Sequence, residues 1–314
     1  MSLRLTLLNL YYRHVERRYL ARETDNARMR QRIERTARRR LREPADTHVH
    51  PVRIPGPAGA IEALWISTGT PRRDRVILLL HGGAYLFGSP VSHRALAAAL
   101  AARTGARVLV PDYRLAPEHP FPAAIEDAAA CHAYLLSLGH GAGGIAFAGD
   151  SAGGGLALAL LHLCGTAELP YPACAVAFSP WTDLTLAADS HRRNARREVL
   201  LPVHRIHEAR DQYLGDSPAD DPRASPVFGR FEGAPPVLIQ ASRAEILEDD
   251  ARIMAARLSA QGVDVQIDFW ERTPHCWQHL HGLLPEADAA MDAAGAFLRR
   301  HLDAEALETA APSR

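Results

Sequence analysis

A serine held between glycines, in Gly149-Asp150-Ser151-Ala152-Gly153, is the residue of this chain best placed to act as a nucleophile. Residues 145–148 before it are short and apolar and read as a buried strand. Residues 154–164 after it, rich in leucine and alanine, read as a buried helix. A strand-to-helix turn this sharp strains the serine backbone, and the residues two before and two after must be small to avoid a clash. In return the hydroxyl stands exposed at the tip of a sheet and at a helix N-terminus, where backbone N–H groups face developing negative charge. A chance Gly-x-Ser-x-Gly in a glycine-rich chain is the plainer reading, and the flanking strand and helix argue against it.

Attack by a serine on a carbonyl makes an oxyanion, which needs donors fixed in advance. His81-Gly82-Gly83, directly after an apolar run, supplies candidates, because glycines let the backbone come close and aim N–H groups at a ligand. Gly82 and Gly83, with Ala152 next to the nucleophile, are the expected donors; an ordinary glycine turn is the bland alternative. The hydroxyl also needs a base. On a turn of this kind the order along the chain is nucleophile, acid, base. The base is therefore a late histidine, and His275 lies in a loop just past the last apolar run. His279 and His281 are close rivals that read as structural or solvent-facing. A metal cluster of His275, Cys276, His279 and His281 is disfavoured, since zinc needs defined spacing and a second ligand pair missing elsewhere. The acid must follow the strand at 237–241, where residues 242–250 offer Glu245, Glu248, Asp249 and Asp250. Glu245 comes at the turn itself, placed to orient the imidazole. Asp249 and Asp250 read as first-turn helix residues favoured by the macrodipole.

These groups need a scaffold that brings them to one edge. Strands are expected at 61–66, 75–80, 107–110, 145–148, 173–178, 237–241 and 265–269, and helices at 92–103, 123–138, 249–261 and 286–302. Alternating strand and helix units give the α/β class, a mostly parallel central sheet wrapped by helices. The run at 75–80 is solidly apolar, as a strand covered on both faces should be. Pro44 and residues 51–59, rich in proline and glycine, read as punctuation. Residues 1–43 hold 13 arginines against five acidic residues, with apolar positions at helical spacing broken near Thr24-Asp25-Asn26, where Thr24 or Asp25 could cap the second helix. A targeting peptide, a membrane-surface helix and a lid on the body compete for this segment; the lid is preferred, because most amphipathic stripes face protein. Residues 184–223, without strand signals, read as an insertion over the active end. The expected division is a cap segment at 1–45, core at 46–183, a second cap segment at 184–223 and core at 224–314. Tyr85, Leu86, Phe87 and Trp181 are the expected lining of an apolar pocket.

Composition narrows the function. The chain has 314 residues, 47% hydrophobic and 23% charged, which fits one α/β domain with a cap. A formal net charge of zero removes any general field for nucleic acid. Every cationic side chain other than histidine is arginine, with no lysine, which reads as genomic bias. Cys131, Cys164, Cys174 and Cys276 lack C-x-x-C spacing and fit reduced thiols in a cytoplasmic protein. No apolar run approaches the roughly 18 residues of a membrane span, so no stable membrane insertion is expected. Gly139-His140-Gly141-Ala142-Gly143-Gly144 fits G-x-G-x-x-G but precedes a strand, so it offers no helix N-terminus to a dinucleotide.

Taken together, His81-Gly82-Gly83, the loop from Tyr113-Arg114-Leu115-Ala116-Pro117-Glu118, the Gly149–Gly153 elbow and the Glu245 and His275 segments resemble the bacterial hormone-sensitive-lipase-like esterases. The likeness covers residues 76–301. It implies the α/β-hydrolase fold with a helical cap, and a carboxylesterase acting on short acyl esters with Ser151, Glu245 and His275 as triad. It implies no metal and no cofactor, a small-molecule ester as the partner, and a homodimer that nothing in the sequence shows independently. A lactonase, an amidase or a non-catalytic receptor on the same fold are the alternatives; receptors usually lack a triad member, and none is missing here. Two departures stand out. Glu245-Ile246-Leu247 stands where the family often has Asp-Pro-Leu, and Ala84 replaces a third glycine, which would narrow the alcohol side of the site.

Overall fold

The computed structural model describes residues 2–167 and 169–302. Eight strands form a single sheet: β1 (Thr47–Gly56), β2 (Gly59–Thr68), β3 (Arg72–Leu80), β4 (Ala106–Pro111), β5 (Ile145–Asp150), β6 (Cys174–Phe178), β7 (Val237–Ser242) and β8 (Val265–Trp270). Their spatial order is β1-β2-β4-β3-β5-β6-β7-β8. β2 runs antiparallel to both β1 and β4, and the remaining pairs are parallel. From Val76 to Leu80 and throughout β5 every residue is buried, because helices cover both faces of these central strands.

The helices are α1 (Leu3–Tyr11), α2 (Arg17–Leu20), α3 (Asn26–Arg40), α4 (Arg94–Thr104), α5 (Ala123–Ser137), α6 (Ala152–Thr166), α7 (Ser190–Arg193), α8 (Val203–Leu214), α9 (Glu248–Ala260) and α10 (Pro285–Leu302). α5, α6 and α9 pack with one core cluster, while α4 and α10 close the other face through Leu96, Leu100, Met291 and Leu298. α1 and α2 are joined by a wider five-residue turn, Tyr12–Glu16. Asp25 caps α3 by accepting from the Arg28 N–H.

One strand departs from the sequence expectation, and one helix of the expected helical cap had no bounds assigned in advance. Residues expected as punctuation form β1, with Pro51 and Pro55 inside it. β1 lies at the edge of the sheet and pairs only with β2, so one side of its backbone needs no ladder donors and proline is tolerated there. Within the insertion, α8 buries Ile206, Ala209, Tyr213 and Leu214 on one stripe. Its intervening histidine, arginine and acidic residues hid that stripe from a reading of hydropathy.

Candidate active site

The elbow forms where β5 meets α6. Ser151 has φ 54° and ψ −123°, a conformation that costs a non-glycine residue on the order of 1–3 kcal/mol. The neighbouring glycines are required by distance: a Cβ on Gly149 would sit 2.1 Å from the Gly153 carbonyl oxygen, and one on Gly153 would sit 2.1 Å from that of Leu80. The Ser151 N–H donates to the Phe178 carbonyl at 2.8 Å, tying the turn to β6.

Three segments distant in the chain meet here. The Ser151 Oγ lies 2.8 Å from His275 Nε2, and His275 Nδ1 lies 2.6 Å from Glu245 Oε2. Glu245, 1% exposed, sits at the turn after β7, and its other oxygen accepts from the Ser179 hydroxyl at 2.7 Å and the Ser242 N–H at 2.9 Å. Burial disfavours a charged His275 ring, but the Glu245 carboxylate beside it, with Glu198 and Asp150 further off, raises the histidine above its ordinary value. Asp249 pairs instead with Arg193, and Asp250 accepts from the Thr182 and Asp183 N–H groups.

The insertion braces the acid. Asn194 donates to the Glu245 backbone carbonyl at 2.8 Å and to the Glu248 carboxylate at 3.0 Å. Glu198, fully buried, accepts from the Leu200 N–H at 2.8 Å, and burial pushes its carboxyl up with help from Glu245. Neither residue carried a signal in the sequence beyond being polar inside a polar insertion.

The glycine loop differs from expectation at Gly82. Its N–H donates to Asp150 Oδ1 at 3.0 Å and His93 Nε2 at 3.1 Å, so it is already committed. Among the described residues, the next N–H groups, of Gly83 and Ala84, have no acceptor, and both residues line the cavity beside Ser151. Ala152 begins α6, where the first N–H groups lack an intrahelical partner. Asp150 is itself held by two histidines: His93 Nε2 lies 3.1 Å from Oδ1 and His279 Nε2 3.1 Å from Oδ2. Burial opposes its charge, but these rings keep the carboxyl well below the usual range. Of the two readings left open for these histidines, structural or solvent-facing, both take the first: His279 holds Asp150, and His281 is buried with Nε2 3.1 Å from the Ala95 carbonyl. His93 was missed; its place just ahead of a helix, a few residues past the glycine loop, is the signal that could have found it.

A cavity of about 580 Å³ opens onto Ser151. Phe87 and Trp181 line it, with Leu8, Tyr12, Met29 and Ile33 from the N-terminal segment. Tyr85 and Leu86 do not: each is 1% exposed inside the core, and the Tyr85 ring, turned inward by a φ of 61°, stacks on Tyr213 at 3.7 Å. Arg30 pins α3 over the cavity, donating to the Leu86 carbonyl at 2.7 Å, the Ala116 carbonyl at 3.0 Å and the Glu118 carboxylate at 2.7 Å. Arg30→Ala should release about 1.5–3 kcal/mol of docking. Limited proteolysis of residues 1–43 should then quicken while the core's thermal midpoint holds; an unchanged cleavage rate would show that Arg30 does not pin the segment.

A family profile described as the alpha/beta hydrolase fold matches residues 77–279. An acetyl-hydrolase of Streptomyces hygroscopicus is 43% identical over 242 residues, 77% of this chain and 80% of that protein. An esterase of Acinetobacter venetianus is 36% identical over 246 residues, 77% of this chain and 79% of that one. Among solved structures, an esterase of the bacterial hormone-sensitive lipase family superposes with a TM-score of 0.90 at 35% identity, covering 96% of this chain and 99% of the other. The esterase EstE5 does so with a TM-score of 0.91 at 34% identity, covering 97% and 100%.

Proposed function

The chain belongs to the alpha/beta hydrolase fold family and is a carboxylic ester hydrolase, and from that premise we propose that it cleaves short-chain apolar esters through an acyl-enzyme on Ser151. The supporting observation is the unbroken run of hydrogen bonds from Ser151 through His275 to Glu245, opening on an apolar cavity. Ser151 Oγ attacks the ester carbonyl as its proton passes to His275 Nε2. Glu245 keeps the Nδ1–H pointed at itself and stabilises the imidazolium. The N–H groups of Gly83, Ala84 and Ala152 receive the oxyanion, and Gly82 holds the loop in place through Asp150. Collapse breaks the bond to the alcohol, which leaves with the proton from His275. Water then repeats the sequence on the acyl-enzyme.

The short acyl preference rests on the cavity, whose 580 Å³ must take both halves of the ester and lies within the usual range of roughly 300–1,000 Å³ for small-ligand sites. A p-nitrophenyl ester series on purified protein should show kcat/KM highest at acetate to butyrate. A maximum at long acyl chains would overturn that preference.

The pH profile follows from His275. The ring takes a proton only when neutral, so activity falls as pH drops through its raised pKa. The acidic limb of kcat/KM should therefore lie above about 6.5, the ordinary histidine value. A limb at or below that value would mean that Glu245 does not control the base.

A further inference from the structure

We propose that His93, Asp150 and His279 form a binding site for a transition-metal dication, zinc being the reference ion, and that its occupancy switches off the hydrolysis proposed above. The inhibitory half rests on that reading; the binding half does not. The three donor atoms lie within 4.8 Å of one another. His93 Nε2 is 3.1 Å from Asp150 Oδ1, and His279 Nε2 is 3.1 Å from Oδ2. Ligands bound to zinc at about 2.0–2.1 Å in a tetrahedral shell stand roughly 3.3 Å apart, close to the spacing here, so the ion needs chiefly the displacement of the Gly82 N–H.

The outer hydrogen bonds point the same way. The Ser92 hydroxyl is 2.9 Å from the Ser89 carbonyl oxygen and donates to it. His93 Nδ1 lies 2.8 Å from the Ser92 oxygen and 3.3 Å from that same carbonyl. His93 Nε2 faces the Asp150 carboxylate, 3.1 Å from Oδ1 and 3.4 Å from Oδ2. The Gly82 N–H donates to both His93 Nε2, at 3.1 Å, and Asp150 Oδ1, at 3.0 Å, so an entering cation takes the place of that shared donor. The Nδ1 contacts are the outer hydrogen bonds that orient a metal-binding histidine. Two imidazoles and one carboxylate suit zinc, with copper bound more tightly in the usual order.

All three residues line the cavity that contains Ser151, so the fourth position opens where substrate must enter. Drawing Asp150 into a metal shell also competes with its bond from the Gly82 N–H, which sets the glycine loop. Metal therefore blocks the cavity and loosens the loop together.

The test begins with chelator-treated, desalted protein titrated with zinc chloride by calorimetry, which needs no turnover. One zinc per chain is expected, with ester hydrolysis falling at saturation and returning on addition of EDTA. His279→Gln and His93→Gln should each weaken zinc binding at least about tenfold, whereas Cys276→Ala, which removes the thiol 3.4 Å from His275 Nε2, should not. Cobalt(II) added to the wild-type protein should give the visible absorption of a four-coordinate nitrogen–oxygen site, a readout that survives if a variant fails to fold. Absence of binding overturns the proposal. So does binding that both histidine variants retain, or that Cys276→Ala alone abolishes. Metal-free protein that binds zinc but hydrolyses no ester would leave the site standing and remove the esterase reading.

Discussion

Ser151→Ala is expected to lower kcat on p-nitrophenyl butyrate by about 10⁴–10⁶-fold, the scale on which losing a triad nucleophile is felt. The substitution removes one oxygen, the atom 2.8 Å from His275 Nε2, and leaves the elbow's geometry in place. Alanine carries the same strain as serine at φ 54°, so the thermal midpoint should barely move. That pairing of a large kinetic loss with an unchanged fold separates a chemical role from a structural one. Initial rates and a thermal melt on the same preparation measure both, and hydrolysis that persists in the variant would remove Ser151 from the mechanism.

Glu245→Gln should follow with a drop of about 10⁴-fold in kcat, at nearly constant KM. Glutamine keeps the shape of the side chain, including an oxygen able to accept from Ser179 and Ser242. It loses the charge that raises His275 and stabilises the imidazolium, and its amide can hold the ring in the wrong tautomer. Asp249→Asn is the contrasting variant. Its carboxylate serves Arg193 and the Ser190 N–H, so its loss should change stability slightly and turnover little. Steady-state kinetics on the two proteins decide the matter. Turnover kept in the Glu245 variant and lost in the Asp249 variant would move the acid.

Much of this was legible in the chain because the relevant signals are local. An apolar run, a glycine pair and a serine elbow each declare themselves within a dozen residues, and so the central strands, the serine and the late histidine could be read directly. What escaped depends on partners far away in sequence. Asp150 gathers His93 and His279 from 57 and 129 positions off, and no periodicity links them. The choice of oxyanion donors turned on the same group: residue type favoured Gly82 and Gly83, but the Gly82 N–H is spent on Asp150 and His93, which leaves Gly83 and brings in Ala84. Tyr85 and Leu86 looked like pocket residues by position, and backbone geometry turned them into the core. β1 was hidden by prolines that only an edge strand tolerates.

Part of the cavity wall comes from a stretch of chain that supplies none of the reacting groups. Leu8, Tyr12, Met29 and Ile33 precede the sheet altogether, while Ser151, Glu245 and His275 stand on turns that follow core strands. Selection can therefore revise which molecules this scaffold accepts by editing its opening segment, leaving the machinery that breaks the bond untouched. A library confined to those four positions should yield altered substrate ranges far more often than dead proteins.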